Sequence, residues 1–191
     1  MTHKRGEDAS KTPKDEQRTP PELFKKLDER FHFDIDAACT EDNCLCRFGF
    51  TKDSAGPDKN GSLDIDWSNP GNDFDEPPRI WCNPPYSNGK VKAFLEKGLE
   101  ESLKGAVVVF LISCDVSPNY YDVCALAAEW VAIKGRVEFC HEDGTPIKGS
   151  AMFGSMVVVF DYERWVKQGR KTIVTRLEWK DEKDSSEKSL Q

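Results

Sequence analysis

The sequence predicts an α/β fold in which helices cover an open, mostly parallel β-sheet with an antiparallel edge. Two observations lead to this prediction. Residues 106–112 (AVVVFLI) form a continuous, largely β-branched apolar run of the kind that fills a central strand buried on both faces. Around this run, short strand-like segments alternate with amphipathic helical segments, which is the pattern of a parallel sheet with crossover helices.

The composition indicates one globular domain with charged ends. The 191 residues carry a formal net charge of −7. Residues 1–18 and 180–191 hold many charges and almost no apolar side chains, so we expect a disordered arm and a disordered tail around a single domain at residues 19–179. The acidic balance argues against binding of nucleic acid by bulk positive charge, so any contact with a polyanion must come from a local patch.

Hydropathy and cysteine usage limit the class of protein further. The longest apolar run has seven residues, below the roughly 18–20 that cross a bilayer, and the charged N-terminus contains no apolar signal segment. We therefore expect a cytoplasmic protein, and a monomer. The seven cysteines are odd in number and too dilute for a disulfide scaffold, so we expect reduced thiols. Cys39, Cys44 and Cys46 (C-x4-C-x-C) differ from the C-x2-C pairs common in structural zinc sites, and no metal is expected.

The first two elements follow directly from local signals. Thr19 at N-cap, Pro20 at N1 and Glu22 at N3 match a capping box with a first-turn proline, which predicts a helix that runs to about residue 30. Residues 33–38 (FDIDAA) then alternate apolar and acidic side chains. This alternation predicts a short strand that ends in an acid followed by small residues.

An acidic, turn-rich segment follows, in which residues 62–67 (SLDIDW) form a possible short strand. Strand-like and helix-like segments then alternate through the rest of the chain. Apolar residues spaced three and four apart mark a helix just before the 106–112 run. Residues 136–140 and 155–161 are strand-like and are joined by a Gly-rich loop, so they are candidates for the antiparallel edge. The other predicted elements are a strand at 79–82, a loop at 83–89, a helix at 118–128 and a strand at 130–133.

The most specific chemical signal is Asn83-Pro84-Pro85-Tyr86, which lies between a predicted strand and a predicted helix. Both prolines lack an N–H, and Pro84 favours extended geometry at Asn83, so the turn is stiff and offers carbonyl acceptors. The exocyclic amine of a purine is a poor nucleophile because the ring delocalises its lone pair, so a methyl-transfer site must hold both N–H bonds. The Asn83 side-chain oxygen and the Pro84 main-chain oxygen could accept one each, and Tyr86 could stack on an extruded base. A rigid turn without chemistry is the alternative.

Several sequence blocks, in this order, resemble the phage-type Dam DNA N-6-adenine methyltransferases. The resemblance implies a Rossmann-like methyltransferase fold, S-adenosylmethionine as methyl donor, and adenine in double-stranded DNA as the acceptor of an adenine-specific, site-specific enzyme. One departure from methyltransferases at large is that no Gly-x-Gly-x-x-Gly follows the first strand. The blocks are residues 19–24 (TPPELF), 33–38 (FDIDAA), 66–67 (DW), 81–86 (WCNPPY), 135–137 (GRV) and 157–160 (VVVF).

The resemblance also assigns roles to individual residues. The catalytic motif is matched by Asn83, Pro84, Pro85 and Tyr86. The donor would be bound in three places: its methionine end near Thr19 and Pro20, its polar groups at Asp34, Asp36 and Ala37, and its adenine ring beside Asp66 and Trp67. Each donor assignment has a plain structural alternative, namely a helix start, a solvated acid at a strand end, or one more charge in an acidic loop.

Contacts with DNA are assigned from position and charge alone. Lys90 follows the Asn-Pro-Pro-Tyr turn, Arg136 lies in a block shared with the family, and Lys148 lies in the Gly-rich loop, so these three are candidates to face phosphate. The basic segment 163–180 is another candidate, although a solvated face explains it equally well. The alternative is that the chain is an RNA-base or protein-glutamine methyltransferase, or a catalytically idle DNA-binding protein of the same fold. Such methylation could protect a phage genome from restriction.

Overall fold

The computed structural model describes residues 15, 17–57, 60–71, 74, 76–148 and 154–180. The predicted disordered arm (1–18) and tail (180–191) therefore lie mostly outside the described residues. At the two boundaries, Arg18 exchanges two backbone hydrogen bonds of 2.9 Å with Cys140, and Lys180 pairs with Glu138 at 3.2 Å. The limits of the domain at residues 19 and 179 stay a prediction.

In this described part of the chain, seven strands form one sheet. The strands are β1 (Ile35–Asp36), β2 (Phe48–Gly49), β3 (Arg79–Cys82), β4 (Val107–Ser113), β5 (Glu129–Ile133), β6 (Ser155–Phe160) and β7 (Ile173–Leu177). Their spatial order is β2-β1-β3-β4-β6-β5-β7. The sheet is mostly parallel, as predicted: β1 pairs in parallel with both β2 and β3, and β3 pairs in parallel with β4.

Antiparallel pairing is found around β6, in the part of the sheet formed by the second half of the chain. β6 runs antiparallel to both β4 and β5, and β7 returns parallel to β5. The predicted strand at 136–140 is wrong, because this segment is irregular and only Cys140 forms isolated bridges. Its strand-like alternation has another cause: Val137 and Phe139 are buried against one face of the sheet as the segment covers it.

The helices of the described residues are α1 (Pro21–Phe31), α2 (Lys90–Leu103), α3 (Tyr121–Cys124) and α4 (Tyr162–Lys167). The two longest, α1 and α2, cover opposite faces of the sheet, and β4 separates two hydrophobic clusters. Alternate residues of β4 point to opposite faces: Val108, Phe110 and Ile112 pack with α2, whereas Val109 and Leu111 pack with α1. A continuous apolar run is therefore required at β4 because both of its faces are buried. None of the helices in the described ranges is long and apolar enough to cross a bilayer.

Three local predictions differ from the structure. Thr19 is not the N-cap: α1 begins at Pro21 with Pro20 as N-cap and no side-chain cap, because Thr19 is used elsewhere. The predicted strand at 62–67 is wrong, since residues Gly61–Asp64 form a 3-10 turn that places the buried Trp67 indole on the Ser62 carbonyl at 2.7 Å. The predicted helix at 118–128 is reduced to the single turn of α3.

A buried carboxylate links four elements. Glu129, at the start of β5, has a side chain with 0% exposure and accepts hydrogen bonds from Arg30 of α1 at 2.6 Å, Arg164 of α4 at 2.7 Å and Thr175 of β7 at 2.6 Å. Burial alone would raise the pKa of Glu129, but the hydrogen bonds from Arg30, Thr175 and Arg164 outweigh it and hold the pKa below its ordinary value. The carboxylate is therefore ionised and joins α1, α4 and β7 to the sheet.

Candidate active site

Residues predicted to act in catalysis and in donor binding lie together at the carboxyl edge of the parallel strands. Asp36 ends β1, Asn83 directly follows β3, and the register pairs Asp36 with Trp81. Because β1 and β3 run parallel, their carboxyl ends open on the same edge of the sheet, which is where open α/β sheets bind ligands. The segment before α1 passes over this edge and brings Thr19 to Asn83.

Asn83 has one satisfied and one unsatisfied side-chain atom. Its Nδ2 donates to Thr19 Oγ1 at 3.2 Å, and Thr19 itself is buried. Its Oδ1 is buried and has no hydrogen-bond partner among the described residues. A buried acceptor left without a donor costs about 1–3 kcal/mol, so a native structure that keeps one is explained if a ligand supplies the missing N–H.

A pocket of about 230 Å³ lies against this edge, with Asn83, Thr19 and Asp36 in its wall. Ala38 borders it as well, so Asn83 shares one cavity with part of the predicted donor segments, whereas Pro84, Pro85 and Tyr86 do not line it. Two loops complete the wall, residues 42–45 and residues 140–144. Neither loop was predicted as part of the pocket: Cys44 was considered only as a zinc ligand, and the Gly-rich loop only for contact with DNA.

Asp36 is almost fully buried and organises the loop after β1. Its Oδ1 accepts from the Ala38 amide at 3.1 Å and its Oδ2 from the Leu45 amide at 3.2 Å. Burial raises the pKa of Asp36 to about 6, although these two hydrogen bonds partly oppose the rise. Each carboxylate oxygen keeps a second lone pair, which leaves Asp36 able to accept a further hydrogen bond from a ligand.

Tyr86 is anchored from two directions. Its hydroxyl donates weakly to the Leu111 carbonyl of β4 at 3.5 Å, and burial raises the pKa of the phenol well above its ordinary value, so the hydroxyl stays neutral. The amides of Tyr86 and Ser87 both donate to Asp15 Oδ1, at 2.8 and 3.1 Å. Gly89, with φ of 72°, then turns the chain from the Asn-Pro-Pro-Tyr turn into α2. Contact of Asp15 with the turn was not anticipated from sequence.

The other residues assigned to the donor do not line the pocket, apart from Thr19 and Asp36. Trp67 is fully buried in the core, and Asp66 accepts from the Ser68 amide and hydroxyl and pairs with Lys104 at 3.4 Å. The hydrogen bond from Ser68 lowers the pKa of Asp66 most, and contacts with Glu101 and Lys104 lower it further; burial opposes them, and the pKa falls to about 2. The structure therefore does not bring Asp66 and Trp67 to Asn83.

Three more of these residues do not line the pocket either. Ala37 is fully buried, and its carbonyl accepts from the Ser62 hydroxyl at 2.5 Å. Asp34 precedes β1 at the opposite edge of the sheet, where it accepts from the Arg79 amide at 2.9 Å. Pro20 is the buried N-cap of α1.

The candidate DNA contacts lie on exposed segments around the same edge. Lys90 is exposed at the start of α2, directly after the 3-10 turn that follows Tyr86. Lys148 is exposed at the end of the loop whose residues 140–144 border the pocket, and Arg136 is exposed in the segment that leads into that loop. All three side chains are therefore accessible to a large partner.

Comparison with known proteins gives one positive finding. A family model described as DNA N-6-adenine-methyltransferase (Dam) matches residues 6–188, nearly the whole chain. No curated protein matches the sequence.

Proposed function

Because the chain belongs to the Dam family of DNA N-6-adenine methyltransferases, we propose that it transfers a methyl group from S-adenosylmethionine to N-6 of a flipped adenine in DNA. The observation that carries this proposal is the buried Oδ1 of Asn83, an acceptor without a partner in the described residues at the wall of the pocket. An exocyclic amine is a donor that matches this acceptor. Water does not reach the atom, so the wall must widen slightly as the base enters.

The residues around the pocket fit the donor in chemical type. When bound, S-adenosylmethionine supplies an electrophilic methyl group on a sulfonium. Asp36 keeps lone pairs for the polar groups of the donor, while Thr19 and Ala38 border the same cavity. The volume of about 230 Å³ is below the roughly 300–1,000 Å³ of small-molecule pockets, so the walls must open for the donor and the flipped base to bind side by side. Donor contacts by Pro20, Asp34, Ala37, Asp66 and Trp67 stay predictions from the family resemblance.

Asn83 and Pro84 orient and polarise the acceptor amine. The Asn83 Oδ1 accepts one N–H and the Pro84 carbonyl accepts the other, which favours a tetrahedral nitrogen whose lone pair is no longer delocalised into the ring. As the nitrogen gains positive charge, these fixed carbonyl dipoles stabilise it without reorganising. Pro85 stiffens the turn, and the exposed part of the Tyr86 ring stacks on the base. No strong base is required, because the methylated amine loses its proton to water.

Thr19 acts through Asn83, and its removal is expected to slow the reaction. In Thr19→Val the hydroxyl that accepts from Asn83 Nδ2 is lost, so the amide is no longer held in one orientation. A net hydrogen bond of about 0.5–1.5 kcal/mol corresponds to a decrease in kcat of roughly three- to tenfold. Thr19→Ser keeps the hydroxyl and is expected to retain kcat close to that of the wild type. Steady-state methylation assays measure both, and an unchanged kcat in Thr19→Val would exclude this positioning role.

DNA is proposed to approach across the exposed edge that surrounds the turn. Lys90, Arg136 and Lys148 would contact phosphates there, which positions the duplex without reading its sequence. The acidic net charge makes such a local patch necessary.

The experiment that tests the function uses labelled donor with unmethylated double-stranded DNA, RNA and a protein-glutamine substrate in parallel. The products are digested to nucleosides or amino acids and identified by mass spectrometry. We expect label in N6-methyladenine from DNA. Label in cytosine, in RNA alone or in protein, or no incorporation despite donor binding, would contradict the proposal and favour one of the alternatives.

A further inference from the structure

A group of metal-ligating atoms lies beside the pocket, in the loop between β1 and β2. Asp36, Cys39 and Cys44 each place one ligand atom, a carboxylate oxygen or a thiol sulfur, within 4.8 Å of the other two. Cys39 is buried and Cys44 is exposed, so the group is reached from solvent at one side. The seven cysteines are free among the described residues, and none of the proposed catalytic steps uses these two thiols.

The packing of β2 shows that the two sulfurs converge on one place. A Cβ added to Gly49 would lie 2.4 Å from Cys39 Sγ and 2.4 Å from Cys44 Sγ, closer than van der Waals contact allows. The space that a side chain would occupy at position 49 is therefore filled by both thiols together. A loop that only buries thiols as small apolar groups has no reason to bring an exposed cysteine to the same point as a buried one and a carboxylate.

We propose that Asp36, Cys39 and Cys44 bind a thiophilic divalent cation of the zinc type. Zinc accepts tetrahedral sulfur and oxygen ligands at about 2.0–2.3 Å, which places ligand atoms roughly 3.5–3.8 Å apart, so the three atoms need to move by only about 1 Å. Magnesium and calcium are excluded because they require oxygen ligands. The fourth position is taken by water, since the Cys46 side chain packs with the hydrophobic cluster on the α1 face of the sheet.

Binding releases two protons and exchanges weak contacts for strong ones. Cys39 Sγ now donates to the Phe50 carbonyl at 3.6 Å, and Cys44 Sγ donates to the Cys46 carbonyl at 3.3 Å. On binding, each thiol loses its proton to solvent and each thiolate forms a bond to the cation, with no change of oxidation state. The cation would join the end of β1 to the loop that carries Cys44 and Leu45, and this loop is part of the pocket wall. The cation would thus hold part of the pocket wall in place, and the existence of the site does not depend on the proposed function.

Cadmium titration of the reduced, metal-free full chain tests the site directly. Cadmium binds thiolates as zinc does and produces a thiolate-to-metal charge-transfer absorption in the ultraviolet. We expect one equivalent to produce this band, zinc to compete it away, and the thermal midpoint to rise with metal concentration. Cys39→Ser and Cys44→Ser are each expected to weaken cadmium affinity at least about tenfold.

Cys114→Ser is the matched control, because Cys114 is exposed and lies outside the group. It is expected to bind cadmium as the wild type does, and circular dichroism without metal shows whether each variant folds. Absence of the band in the reduced wild type, or an equal band in the double variant Cys39→Ser/Cys44→Ser, would overturn the proposal. Loss of cadmium binding in Cys114→Ser as well would show that the metal is not held specifically by Cys39 and Cys44, which would also overturn the proposal. All three readouts are independent of methyl transfer.

Discussion

Asn83→Ala is expected to lower kcat for adenine methylation by about 10²- to 10³-fold, the range found when one oriented donor or acceptor is removed from a charge-stabilising site. The substitution deletes the buried Oδ1 that lacks a partner in the described residues and leaves Pro84 alone to hold the amine. It also frees the Thr19 hydroxyl. Single-turnover assays with labelled donor measure the chemical step, and filter binding measures DNA affinity, which is expected to change little.

Asn60→Ala is the matched control, because Asn60 is exposed and its hydrogen bond to Asp64 uses the backbone amide. It is expected to methylate at the wild-type rate. Stability of Asn83→Ala should stay close to that of the wild type, since removal of a buried unsatisfied acceptor offsets loss of the hydrogen bond to Thr19. Wild-type turnover in Asn83→Ala would exclude Asn83 from the chemistry. A parallel loss of folding and turnover would point to a structural turn instead.

Glu129→Gln is expected to lower the free energy of unfolding by about 2–3 kcal/mol. Breaking a buried ion pair costs about 3–5 kcal/mol when the remaining charge is fully buried, but Arg30 and Arg164 keep 44% and 33% exposure and can turn partly to water. At 2–4 °C per kcal/mol for a domain of this size, the melting temperature falls by roughly 5–10 °C. Urea unfolding monitored by tryptophan fluorescence measures the change.

The effect of Glu129→Gln should depend on pH in a defined direction. Since the pKa of Glu129 is lowered in the folded state, its stabilisation is complete above the unfolded value of about 4.5 and is lost as pH falls through the folded value. The difference from the wild type is therefore largest near neutral pH and shrinks in acid. Glu163→Gln removes an exposed pair with Lys167 and should change stability by only about 0–1 kcal/mol. A Glu129→Gln variant as stable as this control would show that the network contributes nothing.

Elements with strong local signals were predictable from sequence. The strand at 79–82 is confirmed as β3, and the run at 106–112 is confirmed as the central β4, shifted by one residue. In both cases the apolar pattern and the tertiary burial agree, because both faces of these strands are covered. The position of Asn83 at the carboxyl end of β3 follows from the same agreement, since the prolines end the strand at once.

Elements set by tertiary contacts were not predictable. Thr19 satisfies every local rule for an N-cap, yet its hydroxyl is taken by Asn83, 64 positions away. Residues 62–67 alternate as a strand does, but residues Gly61–Asp64 form a 3-10 turn instead, and the buried Trp67 indole donates to the Ser62 carbonyl. The pocket loops and the contact of Asp15 with the Tyr86 amide likewise bring together residues that are far apart in sequence. A single sequence carries no signal for such pairings.

The position of β6 sets the order in which the chain can complete its sheet. β3 precedes β4 in the chain, so β4 can pair with it at once, whereas the partner for the other edge of β4 is β6, which is synthesised later. Both partners of β5, namely β6 and β7, also follow it in the chain. During synthesis the most apolar strand of the protein therefore emerges with one side open and stays so until residue 160 has left the ribosome. Such late, long-range closure slows folding and exposes an aggregation-prone edge, so yield from the nascent chain should depend on how quickly this last third is delivered.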